Sequence, residues 1–315
     1  SWRAVSADLT RQLDANTLPI MGRRWGKEAV QKNRFTTALS VISALEESTL
    51  QEGLLVVGTD DGLLQISENG GERWSHIDSF PDAPEGTYVS DVCTSSHHKS
   101  RLYVSLNNHK RGDFHPYLFR SDDLGKTWES ISTNLPKRHA VWCVIEDHIN
   151  SKLLFVGTEF GLFFTVDGGR NWLRLKNGVP PIPFRDLAIH PREHDLVGAT
   201  FGRGFFVLDD ITALRHIALE SMSGPGGLFP PRETWVYDEI DYVEAVFGNY
   251  ATPNPPFGSS LSYYLREGLP AGDENRILIS IRSQDGTLVR TLLGPTTRGL
   301  HQVQWDLRSG GKGAA

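Results

Sequence analysis

Ser67-Glu68-Asn69-Gly70-Gly71-Glu72-Arg73-Trp74, Ser121-Asp122-Asp123-Leu124-Gly125-Lys126-Thr127-Trp128 and Thr165-Val166-Asp167-Gly168-Gly169-Arg170-Asn171-Trp172 repeat one pattern, S/T-x-D/N-x-G-x-x-W. Each residue type in it has a turn-making task. The hydroxyl and the Asn or Asp oxygen bond nearby backbone N–H groups, glycine takes a positive φ, and tryptophan covers the hairpin. A carboxylate used in this way is occupied locally. Ser67, Asn69, Gly71, Trp74, Ser121, Asp123, Gly125, Trp128, Thr165, Asp167, Gly169 and Trp172 are therefore read as structural.

The surroundings repeat as well. An alternating apolar strand precedes each box, at 54–59, 102–105 and 153–158, and a short strand follows in Trp74-x-x-Ile77, Trp128-x-x-Ile131 and Trp172-x-x-Leu175. Trp2-x-x-Val5 shares that last step, which makes Trp2 the end of an earlier box. Gly198–Phe206 matches Gly157–Phe164 and opens a fourth copy, whose box has decayed to Leu208-Asp209-Asp210-Ile211. The tryptophans recur at close to the roughly 40–50 residues of one four-stranded propeller blade. The expected fold is all-β. A partial β-propeller of about four blades fills 1–215, with further blades expected upstream, from the same or another chain. A Pro/Gly-rich linker follows over 216–257, and a second β-unit, whole or in part, occupies 258–315. Its strands are read at 261–265, 277–281, 287–292 and 301–306, with Gln284-Asp285-Gly286 as a hairpin turn.

The boxes resemble the Asp-box, or bacterial-neuraminidase (BNR), repeats of sialidases, xyloglucanases, sortilin-type receptors and photosystem assembly factors. The strings Val56–Leu63, Asn107–Asp113 and Val156–Phe163 resemble a large bacterial group described as sortilin-like or BNR-repeat glycosyl hydrolases. The C-terminal pattern G-x-L-V-R-x-L ending in G-L-H-Q-V-Q-W-D is similar to the Ig-like domain of flagellar hook-capping proteins. The resemblance implies a secreted bacterial protein, extracellular or periplasmic. It implies either a module that binds and hydrolyses a glycan, or a non-catalytic sortilin-like module or scaffold that binds a peptide or protein. No sialidase arginine triad and no xyloglucanase aspartate pair matches residue by residue.

Composition narrows the partners. A net charge of −6 with mixed signs lacks the basic footprint of nucleic-acid binding. No apolar run reaches the roughly 18 residues of a membrane span. The cysteines, Cys93 and Cys143, lie in apolar strands as buried thiols. No metal-binding motif is present and no cofactor is implied. Gly125-Lys126-Thr127 resembles the end of a phosphate loop, but Trp128 assigns it to a box.

The box joins the third and fourth strands of a blade, so the loops expected to carry function collect on the opposite face. They bring Asp60, Asp113 and Glu159 as acid/base candidates, since glycoside hydrolysis needs two carboxylates. His109, Arg111, His115, Arg138, Arg185 and Arg203 are candidates for binding substrate, with Trp25 and Phe160 as apolar platforms. The bland alternative makes the same charges salt-bridged or solvated loop residues.

Overall fold

In the computed structural model the described residues are 4–19, 21–26, 28–29, 39–176, 178–217, 224–237, 256–270, 272 and 275–310. The chain divides into two units, Ser1–Asp210 and Ile211–Ala315.

The first unit is built from four antiparallel sheets laid down in sequence order. The first comprises β1 (Ile42–Glu47), β2 (Leu55–Thr59), β3 (Leu64–Ser67) and β4 (Ser75–Ile77). The second comprises β5 (Tyr88–Thr94), β6 (Leu102–Asn107), β7 (Tyr117–Ser121) and β8 (Glu129–Ser130). The third runs through β9 (Val141–Glu146), β10 (Leu154–Thr158), β11 (Gly161–Thr165) and β12 (Leu173–Arg174). The fourth has three strands among the described residues: β13 (Phe184–Ile189), β14 (Leu196–Thr200) and β15 (Phe205–Leu208). First strands of successive sheets adjoin one another, β1 with β5, β5 with β9, and β9 with β13. This is the blade arrangement of a partial β-propeller.

The repeated turns fold as their residue types dictate. Gly125 N–H donates to Ser121 Oγ at 2.8 Å and Thr127 N–H to Asp123 Oδ1 at 2.8 Å. Gly71 with Ser67, and Gly169 with Thr165, repeat the first bond at 2.9 and 3.2 Å. The three glycines have φ of 92°, 79° and 96°, in the region that disfavours a side chain. They are also close-approach points. A Cβ on Gly125 would stand 2.5 Å from Ile77 Cδ1, and one on Gly169 would stand 2.9 Å from Ile131 Cβ. Each turn thus receives the apolar residue that follows the preceding blade's tryptophan. Trp2 lies outside the described residues, but Val5 takes the corresponding place at Gly71, where a Cβ would stand 3.0 Å from its carbonyl oxygen.

Two cores lie between blades. Leu54, Val56, Leu64 and Ile66 pack with Val104, Leu106 and Phe119, while Tyr103, Leu118 and Ile131 pack with Val156, Phe163 and Trp172. Cys93 and Cys143 are buried free thiols.

In the second unit a short helix α1 (Thr212–His216) precedes a sheet of β16 (Gly226–Leu228), β17 (Ser259–Leu265) and β20 (Gly299–Trp305), and a hairpin of β18 (Ile277–Arg282) and β19 (Leu288–Gly294). Period-two alternation along β17 buries Ser259, Leu261, Tyr263 and Leu265. Leu261, Tyr263 and Leu265 share a core with Ile279, backed by Leu292, Val303 and Trp305. The stretch read as linker contributes a strand here, because Gly226–Leu228 pairs with Tyr263–Leu265. Glycine permits this close pairing: a Cβ on Gly226 would stand 2.7 Å from the Tyr264 carbonyl oxygen.

Candidate functional site

One irregularity recurs in all four blades. The pairing of first and second strands skips a residue between Ile42 and Ala44, Val89 and Asp91, Val141 and Cys143, and Phe184 and Asp186. A β-bulge at this position leaves the skipped residue unpaired and turns its side chain. The skipped residues are Ser43, Ser90, Trp142 and Arg185. In the first two blades the serine stitches one blade to the next, Ser43 Oγ donating to the Val89 carbonyl at 2.7 Å and Ser90 Oγ to that of Val141 at 3.1 Å. In the third and fourth blades a tryptophan and an arginine stand there instead.

These two side chains build the centre of the candidate site. The Arg185 guanidinium carbon lies 3.3 Å from the Trp142 ring centroid and 5.1 Å from that of Phe201, so aromatic rings attend it on both contacts. Trp142 Nε1 donates to Glu159 Oε2 at 2.8 Å, and the His109 ring lies 5.1 Å from the Trp142 ring. Lys110 Nζ stands 5.5 Å from the Tyr88 ring. Burial lowers the Arg185 guanidinium from its ordinary value, against the opposing pull of Glu159, Tyr88 and Cys143. His109 is lowered too, first by burial and then by the Arg185 charge. Arg185 Nε is buried without a hydrogen-bond partner.

The other predicted residues have different places. Asp60 Oδ1 accepts from the Val41 amide at 2.8 Å, tying its loop to the chain entering β1. Asp113 accepts from Asn108 Nδ2 at 3.0 Å, Tyr117 Oη at 2.8 Å and the His115 amide at 3.0 Å. Burial alone would raise Asp113, but these donors together hold it below the usual carboxylate range. Of the three acid/base candidates, Glu159 is the one hydrogen-bonded into the Trp142 and Arg185 cluster.

Arg111 Nη1 donates to the Glu85 carbonyl at 2.8 Å. His115 lies 5.0 Å from the Tyr117 ring, Arg138 lies 6.0 Å from that of Phe114, and Phe160 meets His139 edge-on at 5.3 Å. Trp25 lies under the Arg23 guanidinium at 4.8 Å, and Arg203 is exposed in the β14–β15 turn. Among the described residues no group of three or more His, Cys, Asp or Glu side chains is arranged to hold a metal ion.

Trp142, Phe201 and Tyr88 were not singled out from sequence. Trp142 reads as one more apolar residue of a buried strand. Its signal is positional: aligned blade on blade, it and Arg185 replace the serines of the first two repeats.

No family model and no curated protein matches the chain. Solved structures do resemble it. A GH74 xyloglucanase from Xanthomonas campestris is 16% identical over 51% of this chain and 27% of its own, with a TM-score of 0.41. An ancestral GH74 enzyme is 17% identical over 82% of this chain and 33% of its own, with a TM-score of 0.44. YCF48 bound to D1 peptide is 13% identical over 80% of this chain and 68% of its own, with a TM-score of 0.39. The chain thus spans a third or less of those two GH74 enzymes. These likenesses are of β-propeller fold, and what those proteins bind or cleave is theirs.

Proposed function

We propose that the propeller unit is a non-hydrolytic binding module that takes a carboxylate-bearing glycan on the face opposite the repeated turns. The observation that carries this reading is the Arg185 guanidinium set against Trp142 and the exposed Phe201, with a buried Nε that has no hydrogen-bond partner. A guanidinium in a partly dry setting gains more from a planar, bidentate anion than from water. Exposed Phe201 offers an apolar edge for a sugar ring, and His109 and Glu159, both in contact with Trp142, supply a donor and an acceptor. Hydrolysis finds less support. Glycosidases need a second carboxylate facing the first, and Asp113 is engaged by its own loop and Asp60 by the Val41 amide.

The test is calorimetric titration with uronate-containing and neutral oligosaccharides, with reducing-end release followed in parallel. Binding of the acidic sugars, its loss by tenfold or more in Arg185→Ala, and no released sugar are expected. Turnover that disappears in Glu159→Gln would restore the hydrolase reading. Preference for peptides with a free carboxylate over every sugar would favour a peptide-binding module, a reading supported by the cations Arg185, beside the exposed Phe201, and Lys110, beside Tyr88.

In this reading the repeated turns are Asp boxes of an exported bacterial protein, extracellular or periplasmic, and the C-terminal unit is an Ig-like accessory. Further blades, of this polypeptide or another, complete the ring.

A further inference from the structure

Three arginines on the side of the repeated turns have carboxylate partners: Arg101 and Arg120 pair with Asp122 at 2.5 and 3.4 Å, and Arg192 pairs with Glu193 at 2.7 Å. Three cations of the opposite face have aromatic ones. Lys110 Nζ lies 5.5 Å from the Tyr88 ring, the Arg138 guanidinium carbon 6.0 Å from that of Phe114, and that of Arg185 3.3 Å from Trp142 and 5.1 Å from Phe201. Among the described residues none of the three forms an ion pair. The carboxylates of that face already have donors of their own. Glu85 Oε1 lies 3.7 Å from Arg11 Nη1, and Asp60, Asp113 and Glu159 accept from the Val41 amide, Tyr117 Oη and Trp142 Nε1. Both outlying cations adjoin the Arg185 cluster. His109, which precedes Lys110, is lowered first by burial and then by the Arg185 charge, with Lys110 adding to it and Glu159 opposing. Arg138 precedes His139, whose ring meets Phe160 at 5.3 Å, and Phe160 follows Glu159.

We infer that the ligand is a linear polyuronate, with acidic sugars of one chain held at Arg185 and Phe201, at Lys110 and Tyr88, and at Arg138 and Phe114. This rests on the proposed binding of an acidic glycan at Arg185 and extends it to a polymer. A cation beside an aromatic ring matches the two features of a uronate residue. The apolar face of the pyranose stacks on the ring while the planar carboxylate reaches the cation, and a guanidinium resting on a ring face keeps its in-plane N–H groups for that second partner. A neutral polysaccharide would leave three cations without counter-charges, and a polyanion without ring faces would leave the aromatic rings bare. Linking the sugars makes each binding event after the first intramolecular, so affinity grows with chain length.

Calorimetric titration of the full chain with oligogalacturonates of two and of six residues tests the proposal. The hexamer is expected to bind about tenfold or more tighter than the dimer. Lys110→Ala and Arg138→Ala, both at exposed positions, should each shrink that ratio by about threefold or more with an unchanged circular dichroism spectrum. Equal affinity for the two lengths, or a ratio that neither substitution moves, overturns the polymer and leaves a single acidic sugar at Arg185. No binding of either length overturns the acidic-glycan reading as well. A sulfated glycan chain held as tightly as the hexamer overturns the uronate assignment, because charge alone is then what the face recognises.

Discussion

Asp167 shows at single-residue resolution why the repeated turns are scaffold. Its Oδ1 accepts from the Thr165 hydroxyl at 2.6 Å and from the Asn171 and Arg170 amides at 2.9 and 3.0 Å, and Oδ2 accepts from Asn171 Nδ2 at 2.7 Å. Burial would raise this carboxyl, but the donors together lower it, so it stays ionised and engaged. Asp167→Ala removes every one of these acceptors while most of the donors can turn to water. The expected destabilisation is about 1–3 kcal/mol, read as a lower urea midpoint at unchanged m-value. Asp167→Asn keeps one acceptor oxygen and should lose less than half as much. Equal losses would mean that charge, not the hydrogen-bond geometry, holds the turn. This chemistry is contained within eight consecutive residues, which is why it was legible without a structure. The site residues obey no such local rule. Arg185 meets Trp142 only once two blades are side by side and Phe201 only once β13 and β14 pair, and Phe201 reads in sequence as part of a decayed repeat.

At the scale of the element, the blade seam depends on a glycine that answers two demands at once. Gly169 has a φ of 96°, and a Cβ there would stand 2.9 Å from Ile131 Cβ. Gly169→Ala should therefore cost about 2–4 kcal/mol, from the backbone penalty and overpacking together. Ile131→Ala in the same chain removes the Cδ1 and Cγ1 that the added methyl would meet at 3.1 and 3.5 Å but keeps the Cβ at 2.9 Å, so it relieves part of the overpacking. Thermal melts of the two single variants and the double variant are expected to show a double-variant loss smaller than the sum. Strict additivity would place the penalty in φ and the Cβ contact, with none in the outer Ile131 atoms. Strands and turns were readable element by element because alternation and turn residues are periodic. The bulges at Ser43, Ser90, Trp142 and Arg185 were not, since a skipped residue appears only in the pairing of two strands. The strand Gly226–Leu228 was hidden for a related reason: its glycines have the composition of a linker, and only pairing with β17 makes them a strand.

At the scale of the whole molecule, the first strands carry carboxylates that couple the blades to pH. Glu46 Oε2 accepts from the Thr94 amide at 2.6 Å, and Asp91 Oδ2 accepts from the Val144 amide at 2.9 Å, each bond crossing to the next blade. Burial raises both carboxyls to about 7, the amide hydrogen bonds opposing it and neighbouring carboxylates adding to it. In the unfolded chain such groups titrate near 4. The folded state therefore binds protons more readily than the unfolded one. The contribution of these two groups to stability is full below about pH 4, falls as pH rises through the interval to about 7, and levels off above it. Asp91→Asn cannot ionise and keeps a side-chain oxygen for the Val144 amide. Relative to the parent, the variant should gain stability across that interval and hold a roughly constant advantage above it, of up to about 4 kcal/mol at pH 8 for a gap of about three units. The lowered histidines, His109 and His139, act with the opposite sign over part of the range, but they are common to both proteins and cancel in the difference. Denaturant melts of parent and variant at pH 4.5, 6 and 8 measure that difference directly. A difference independent of pH would remove Asp91 as the titrating group and return the seam to hydrogen bonding alone.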